Sequence, residues 1–593
     1  MDLIKVTKRD NREPFFIFVL FIGIGLSLAI YLYGLDRFSL LYYSDSVSHL
    51  VRSRELFDSV SPGFQQIGTV WLPLPHFLLL PFSLLDPLFK TGFAGLTVSL
   101  PSLAIASAIL YKMIRIHTKV SYIAVAGALL FFLNPNIVYL GITAMTEAPF
   151  MLFFVAAAYY FQKSLNLSEF LSHKKNTDTF ASPNYLLYSS SNNNSCCSTT
   201  RRRSNSSSKS SEYKFSMLSD LIKCSVFVVL ATLCRYEAWL IPFFLVSFVV
   251  WMITTTRTRT KTTSTTTTTK NYQTNHCKIK MVLISSLSFS GIVLWILYNA
   301  YYYGNPLEFF DAPYYSAASQ ALEGGGENRA NLYLQPFNVI SLYSLTALAM
   351  YGPIIMAAAI IGYLFHKRSG PKEEIKKRDT TFLFLALPSI ATLLALVFGI
   401  GEMNQLWFNS RFLTLVSPLV ILLCCMLVKI IAIEWLRNNS IIVAAIIAIL
   451  FFYPIIALPA FGAVVTFIDA KNSMSYGTRP AAMDIAQALS SYYNSGNILL
   501  ITGSAQQNII MQASGITLSN FQTATEGSTW GWENSVQKLQ LHTKYVVLSK
   551  QPDPSGERVI DYWMERQNEL KKYFSKIYEN SYYFLLIANT SVH

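Results

Sequence analysis

The sequence predicts a polytopic α-helical membrane protein with about 11 transmembrane helices and a C-terminal extracytoplasmic α/β domain. Of its 593 residues, 52% are hydrophobic and only 13% are charged, whereas soluble domains average about 25% charged residues. Apolar stretches near the roughly 20 residues that cross a bilayer recur up to residue 467. Residues 479–593 instead alternate short apolar strands with amphipathic helices, which is typical of a small α/β domain with a largely parallel sheet.

The apolar pattern places the spans in chain order. We predict them at 14–34, 94–113, 120–140, 148–162, two short spans within 217–253, 281–301, 338–365, 380–400, 412–430 and 440–467. The apolar piece at 76–89 is broken by Pro81 and Pro87 and is short for a span. A re-entrant or interfacial segment is therefore expected there.

The net charge of +14 comes mostly from loops between apolar segments. This distribution follows the positive-inside rule, so it indicates topology and argues against nucleic-acid binding. The Ser/Asn-rich insertion 163–215 and the Thr/Lys/Arg-rich insertion 254–280 are predicted to be disordered and cytoplasmic. With the basic N-terminus also inside, the first loop, 35–93, and the loop 302–336 are external.

We therefore divide the chain into a membrane domain, 1–470, and an extracytoplasmic α/β domain, 471–593. In the second domain, helices are predicted at 479–493, 505–513, 532–540 and 556–574, and strands at 498–502, 516–521, 544–549 and 582–588. No glycine-rich phosphate loop opens any of these helices, so we expect no bound nucleotide.

Asp45 lies just beyond the first span, with His49 and Arg52 four and seven residues further on. In a helix these three side chains share one face. An acid beside cations suits proton abstraction, orientation or metal binding, whereas a lone solvated carboxylate is the structural alternative. We interpret Asp45 as a catalytic base.

The run Trp71-Leu72-Pro73-Leu74-Pro75-His76 follows in the same loop. It is typical either of an interfacial aromatic anchor with a rigid turn or of a substrate contact. Asp45 and His76 are weak candidates for a divalent metal ion, and no other cofactor is expected.

Three further sets of charged residues lie at predicted external span ends. Glu147 begins the fourth span, where the helix dipole alone favours a carboxylate. Arg235 and Glu237 interrupt the apolar stretch 217–253, and Arg411 precedes the tenth span. These arginines can pair with acids or grip a lipid phosphate in bidentate fashion.

The external loop 302–336 combines tyrosines with Glu308, Asp311 and a triple glycine at 324–326. This composition suits sugar recognition under a mobile lid, or an ordinary interfacial loop. The predicted topology brings one group of residues to the same membrane face: Asp45, His49, Arg52, His76, Glu147, Arg235, Glu237, Glu308, Asp311, Glu402 and Arg411. A single external active site would require this arrangement.

The loop DSVSHLVRSRELFDSVSPGFQQIGTVWLPLPH, which begins at Asp45, resembles the GT-C glycosyltransferases. The nearest branch is the archaeal-type, polyprenyl-phosphate-sugar-dependent PMT/ArnT-like group (glycosyltransferase family 39-like). Three short motifs fall where that group leads us to expect them: Thr146–Pro149, Arg235–Glu237 and Ser410–Phe412. The resemblance covers residues 14–430. It departs from the group at Ser44 and Ser46, because many members carry paired acids there, and the WWDYG signature of oligosaccharyltransferases is absent.

The resemblance implies transfer of a hexose or pentose, mannose-like or similar, from a polyprenyl- or dolichyl-phosphate carrier to an acceptor hydroxyl on the external face, with inversion. Protein glycosylation by a mannosyltransferase of the cell membrane is one such activity; the acceptor is a protein, a lipid or a glycan. Asp45 is the implied base, and Arg235 or Arg411 is the implied holder of the carrier phosphate.

The candidate catalytic residues are Asp45 and Glu147. The candidate substrate-binding residues are His49, Arg52, Trp71, His76, Arg235, Glu237 and Arg411. The alternative function is a polytopic transporter or flippase of lipid-linked saccharide, which predicts ionisable residues near the bilayer midplane and repeated halves. The sequence instead shows acids and arginines at span ends and no internal repeat.

Overall fold

The computed structural model describes residues 12–177, 205–260, 278–311, 331–368, 371–401, 409–432, 440–453, 456, 464–475, 478–523, 543–550 and 566–589. The central parts of both predicted insertions, Glu402 and the predicted glycine hinge at 324–326 lie outside these residues. So do the predicted helix 532–540 and most of the predicted helix 556–574.

The described part of the chain is mostly helical. Its helices are α1 Arg12–Leu35, α2 Ser44–Glu55, α3 Leu74–Ser83, α4 Asp86–Thr91, α5 Phe93–Thr118, α6 Ser121–Phe132, α7 Pro135–Leu140, α8 Glu147–Thr177, α9 Asn205–Thr232, α10 Leu240–Thr260, α11 Lys278–Tyr303, α12 Glu308–Asp311, α13 Pro336–His366, α14 Lys372–Val397, α15 Ser417–Ile430, α16 Ser440–Phe452, α17 Val465–Ser475, α18 Arg479–Tyr492, α19 Ser504–Ser514 and α20 Gln567–Tyr573. Short 3-10 turns include Ser39–Leu41, Tyr236–Trp239 and Ser410–Val416.

Seven helices of the described chain are long and apolar enough to cross a membrane, which confirms a multi-span helical protein. They are Arg12–Leu35, Phe93–Thr118, Tyr236–Thr255, Lys278–Tyr303, Pro336–His366, Lys372–Val397 and Ser410–Ile430. The predicted total of about 11 is not confirmed.

The expected span 120–140 is not one continuous helix. α6 ends at Phe132, and Asn134 caps the new helix α7 by accepting a hydrogen bond from the Asn136 amide at 2.9 Å. A residue before proline avoids the helical conformation, so the Asn134-Pro135 pair ends α6 early.

The helices that flank the two predicted insertions extend into the insertions' first or last residues. α8 continues to Thr177 and α9 begins at Asn205, while α10 continues to Thr260. Adding a residue to an existing helix requires less free energy than starting one, which explains why these polar flanks continue the apolar helices.

Contacts distinguish the two ends of the helical bundle. At one end, Glu13 near the start of α1 pairs with Arg115 near the end of α5 at 3.1 Å. Lys429 near the end of α15 donates to the carbonyl of His117 at the same end, at 3.2 Å. α1 therefore runs away from this end, and Asp45, which follows it, lies at the opposite end.

The C-terminal domain contains a five-stranded mixed sheet in the order β2-β1-β3-β5-β4. The strands are β1 Ile498–Ile501, β2 Phe521–Thr523, β3 Tyr545–Ser549, β4 Phe574–Glu579 and β5 Tyr583–Ala588. β2, β1 and β3 are parallel neighbours, as predicted, whereas β5 is antiparallel to both β3 and β4. The sequence reading missed β4 because it continued the preceding helical pattern to residue 574.

The C-terminal domain packs directly on α2. Val47 of α2 shares one hydrophobic core with Ile485 of α18 and Ile509 of α19. Asn508 Nδ2 donates to Ser48 Oγ at 2.9 Å across the same contact. Burying one such aliphatic side chain contributes about 1.5–3 kcal/mol, so this shared core stabilises the packing of the first loop, 35–93, against the C-terminal domain.

Candidate functional site

Asp45 lies in the first turn of α2, directly after the 3-10 turn Ser39–Leu41. A helix N-terminus stabilises a negative charge through its free amide groups. The Asp45 side chain keeps 30% of its area exposed. The Asp45 carboxylate is therefore stabilised by the helix N-terminus and remains accessible to a bound molecule.

Glu147 is the first residue of α8, and the turn before it contacts α2. The Ala144 amide in that turn donates to Ser46 Oγ at 3.2 Å. Gly95 of α5 allows this close approach, because a Cβ added there would overlap the Ala144 backbone. The side chain of Glu147 is only 2% exposed.

The two arginines come from backbone breaks at the same end of the bundle. Arg235 is extended, at φ −150° and ψ 143°, between α9 and the turn Tyr236–Trp239. Arg411 lies in the turn Ser410–Val416, after Asn409, whose φ of 54° is left-handed. Asparagine tolerates this conformation better than most side chains, so it suits the start of the turn.

These residues form one continuous ionic network. Arg411 Nη2 donates to Asp45 Oδ2, and Arg411 Nε lies 3.4 Å from Glu147 Oε1. Arg235 Nη1 donates to the same Glu147 oxygen at 2.7 Å. Arg235 also grips both carboxylate oxygens of Glu237, at 2.7 and 3.2 Å. The order is Asp45, Arg411, Glu147, Arg235, Glu237, and we call this set the ionic network.

The charge balance of the ionic network limits what it can bind. Three carboxylates face two guanidinium groups, which leaves one negative charge in excess when all are ionised. Glu147 Oε2 is buried without a hydrogen-bond partner among the described residues. An anion therefore binds an arginine here most favourably when it displaces a carboxylate. Asp45 is the most exposed of the three and is the natural one to leave.

His49 and His76 form a buried pair. Both rings are buried, and His49 Nδ1 lies 3.0 Å from His76 Nε2, so one ring donates to the other. The Trp71 ring packs 4.7 Å from His49, centroid to centroid. Burial lowers the pKa of His49 to about 3, with help from nearby Arg411. The two neutral imidazole rings thus connect α2 to α3 by a hydrogen bond.

Arg52 is not part of the ionic network either. Its Nη1 lies 3.3 Å from Glu55 Oε2, one turn further along α2. As for a metal ion, the described residues contain no group of three or more His, Cys, Asp or Glu side chains that could hold one. His76 pairs with His49 instead of joining Asp45 in a ligand set. Within the described part of the chain, Asp45 and His76 therefore do not form a metal site together.

The last turns of α11 contact the first loop, 35–93, through backbone oxygens of that loop. Tyr298 OH donates to the carbonyl of Phe64 at 3.0 Å, and Tyr303 OH donates to that of Gln65 at 3.1 Å. Glu308 accepts from Asn305 Nδ2 at 3.1 Å, apart from the ionic network. The side chain of Asp311 lies outside the described residues. These tyrosines support the loop that leads to Trp71.

Three residues near the ionic network were missed by the sequence reading. Tyr43 OH donates to Asp469 Oδ2 at 3.2 Å, and the Tyr43 ring lies 5.1 Å from the Arg411 guanidinium carbon. Burial raises the pKa of Asp469 to about 6, although Arg411 opposes the shift. Arg479 donates to the carbonyls of Leu41 and Tyr42. Of these three residues, only Asp469 could have been noticed in the sequence, because it is an acid directly after the apolar stretch 440–467.

Comparisons with known proteins show that solved structures with a similar fold exist. No protein-family model matches the sequence, and no curated protein matches it. The crystal structure of ArnT from Cupriavidus metallidurans bound to undecaprenyl phosphate is similar over 97% of this chain and 98% of that chain, with 12% identity and a TM-score of 0.52. Its apo state is similar over 96% and 97%, with 12% identity and a TM-score of 0.51.

A further similar structure is the archaeal oligosaccharyltransferase AglB from Archaeoglobus fulgidus, in complex with an inhibitory peptide and a dolichol-phosphate. It has 10% identity and a TM-score of 0.48 over 97% of this chain and 74% of that chain. At these identities the likeness to the ArnT structures concerns the fold alone. The predicted fold class, a helical membrane protein with a C-terminal α/β domain, is confirmed, and the fold is similar to that of the ArnT structures.

Proposed function

We propose that this chain, with its GT-C type fold and charged external site, is a membrane glycosyltransferase. It transfers a sugar, a mannose-like hexose or similar, from a polyprenyl- or dolichyl-phosphate carrier to an acceptor hydroxyl, with inversion. The observation that carries the proposal is the ionic network, in which an accessible acid, Asp45, is held by a buried arginine, Arg411. The ArnT structure of the same fold is bound to undecaprenyl phosphate, which supports a lipid-linked donor.

Asp45 acts as the base. It accepts the proton of the acceptor hydroxyl, the freed oxygen forms a bond to the anomeric carbon, and the bond from that carbon to the phosphate oxygen breaks. The carrier phosphate leaves with the electron pair of the broken bond. Attack opposite the leaving group inverts the anomeric centre. Asp45 suits this role better than Glu147, because Glu147 is almost completely buried between two arginines.

Arg411 holds the carrier phosphate. Arg235 is already bonded to Glu147, to Thr146 Oγ1 at 2.9 Å and to both oxygens of Glu237. Arg411 has its hydrogen bond to the exposed Asp45, which a phosphate can replace. Binding of the donor phosphate would release Asp45 from its ion pair at the moment when a base is needed. Preorganised cations at a leaving oxygen are a large source of rate acceleration.

Glu147 and Glu237 have supporting roles in this proposal. Glu147 spaces the two guanidinium groups, and Glu237 fixes the plane of Arg235 in bidentate fashion. A buried bidentate pair restricts both partners. Thus Glu147, although a candidate catalytic acid by sequence, is assigned a positioning role.

The proposal also covers location and partners. The site and the α/β domain 471–593 face the extracytoplasmic side of the cell membrane, and the N-terminus and basic insertions face the cytoplasm. The partners are the bilayer, the lipid-linked donor and a protein, lipid or glycan acceptor, with no nucleic acid. The membrane domain 1–470 carries the chemistry.

The test is transfer of radiolabelled sugar from a panel of polyprenyl-phosphate sugars into membranes that contain wild type, Asp45→Asn or Asp86→Asn. Asp86 is a matched control, because it is an exposed acid near α2 that pairs with Arg54 and not with the ionic network. We expect transfer by wild type and Asp86→Asn, and a loss of at least about 100-fold in Asp45→Asn.

Equal transfer by Asp45→Asn would exclude Asp45 as the base. No transfer by any variant, with folded protein shown by thermal unfolding, would favour the transporter or flippase alternative. That alternative is then measured as movement of the labelled lipid between the leaflets of proteoliposomes.

A further inference from the structure

The backbone segment that carries Asp45 is held by residues more than 400 positions further along the chain. Tyr43 OH donates to the carbonyl of Thr466 at 2.7 Å and to Asp469. Arg479 Nη1 donates to the carbonyl of Tyr42 at 2.6 Å, and Nη2 donates to the carbonyl of Leu41. All of these contacts fall within four residues before Asp45.

Arg479 is the basic residue in these contacts and is the first residue of α18. It is only 5% exposed. Burial lowers the pKa of Arg479 to about 10, which leaves the guanidinium protonated at neutral pH. A charge in such a place needs hydrogen-bond acceptors, and here two backbone oxygens supply them.

The two carbonyl groups bound by Arg479 lie at the junction between the turn Ser39–Leu41 and α2. The first hydrogen bond of α2 is made to the next carbonyl, that of Tyr43, by the amide of Val47. The carbonyls of Leu41 and Tyr42 therefore precede the hydrogen bonds of the helix. Backbone groups at this position have no intrahelical partner, so their orientation can change easily. The planar guanidinium group of Arg479 donates to two successive carbonyls and therefore restrains both peptide planes.

We propose that Arg479 is a positioning residue for Asp45, through which the C-terminal domain sets the direction of the base. The proposal rests on the proposed function. Arg479 fixes the start of α2, and the start of α2 fixes where the Asp45 carboxylate meets Arg411. Displacement of a reacting group by about 1 Å can lower a rate about 100-fold. The C-terminal domain is thus a structural part of the active site.

The other end of α2 provides a matched control. Arg54 also lies between α2 and the C-terminal domain: its Nε lies 2.8 Å from Asp58 Oδ2, and Asp58 accepts from the Ser519 amide at 3.0 Å. Arg54 makes no contact with the segment 41–45 in the described structure. Loss of Arg54 weakens the domain contact without releasing the start of α2.

The experiment compares Arg479→Met, Arg479→Lys and Arg54→Met in full-length protein, at a temperature where each is folded. We expect Arg479→Met to lower kcat at least 10-fold with the donor KM within about twofold of wild type. Arg479→Lys should recover part of the rate, since an ammonium group can still bond one carbonyl. Arg54→Met should keep kcat within about twofold of wild type.

A second measurement does not depend on activity. Hydrogen exchange of the backbone amides of residues 43–48 should be at least about 10-fold faster in Arg479→Met than in wild type, and unchanged in Arg54→Met. Unchanged exchange in Arg479→Met, or an equal kcat loss in Arg54→Met, would overturn the proposal. If Asp45→Asn keeps full activity, the base assignment fails. The exchange result then decides separately whether Arg479 restrains this segment.

Discussion

Arg411 Nη2 donates a hydrogen bond to Asp45 Oδ2, although the two residues are 366 positions apart in the chain. The contact joins the first turn of α2 to the 3-10 turn before α15. It also links the exposed end of the ionic network to its buried centre at Glu147.

Arg411→Gln should raise the donor KM and lower kcat/KM by about 100- to 1,000-fold, because one preorganised cation at the leaving phosphate is removed. Arg115→Gln removes an ion-paired arginine at the opposite end of the bundle and should leave both constants within about twofold. Steady-state transfer at varied donor concentration measures both. A normal donor KM in Arg411→Gln would contradict its role as the phosphate holder.

Glu147→Gln should lower the free energy of unfolding by about 3–5 kcal/mol, because it removes the carboxylate shared by two buried arginines. Glu237→Gln should have a smaller effect, since Glu237 is more exposed and contacts one arginine. Thermal unfolding in detergent compares the two variants. An equal or smaller loss in Glu147→Gln would show that Glu147 is not the central bridge of the network.

The pair His49 and His76 should make the protein less stable in acid. Burial holds the pKa of His49 at about 3 and that of His76 well below its usual value of 6.5. Above pH 6.5 both the folded and unfolded states are neutral at these positions, and below it only the unfolded state takes up protons. From pH 6.5 to 5, His49 alone should remove about 2 kcal/mol of stability. His49→Gln should flatten this dependence in unfolding experiments. A slope equal to that of wild type would contradict the buried neutral pair.

Asp469 should show the opposite dependence on pH. Burial raises its pKa from 3.8 to about 6, so the folded state keeps a proton that the unfolded state has lost between these pH values. Stability attributable to Asp469 therefore falls as the pH rises from about 4 to about 6, by at most about 3 kcal/mol. Asp469→Asn should remove this fall and be more stable than wild type at pH 7. A variant less stable at pH 7 would show that its carboxylate is needed by Arg411 or Tyr43.

Gly95→Ala should destabilise the protein by about 1–3 kcal/mol, because the added methyl group overlaps the Ala144 backbone beside Glu147. Gly23→Ala on α1 is the matched control, since a Cβ there meets nothing within 4 Å. The control should be neutral or slightly stabilising, as alanine favours helices over glycine. The unfolding midpoints of the two variants in detergent test this. Equal midpoints would contradict the close packing of α5 against this turn.

Local patterns were sufficient to predict the helical membrane fold, most long spans, the break at Arg235 and the α/β character of the C-terminal domain. Hydropathy and two-residue or 3.6-residue periodicity are properties of neighbouring residues, so one chain segment reveals them. Two elements differed from the prediction, because a short local sequence or a change of periodicity lay inside a longer uniform pattern. Asn134-Pro135 divided an expected span, and β4 followed a stretch with helical periodicity.

The sequence also supplied Asp45, Glu147, Arg235, Glu237 and Arg411, but not which acid meets which arginine. Only the tertiary structure decided that Glu147 is buried between both arginines and that Asp45 keeps the exposed position. It likewise brought Asp469 and Arg479 to the start of α2. These pairings join residues from 88 to 437 positions apart, and they depend on how the helices and the sheet pack, which no local spacing records.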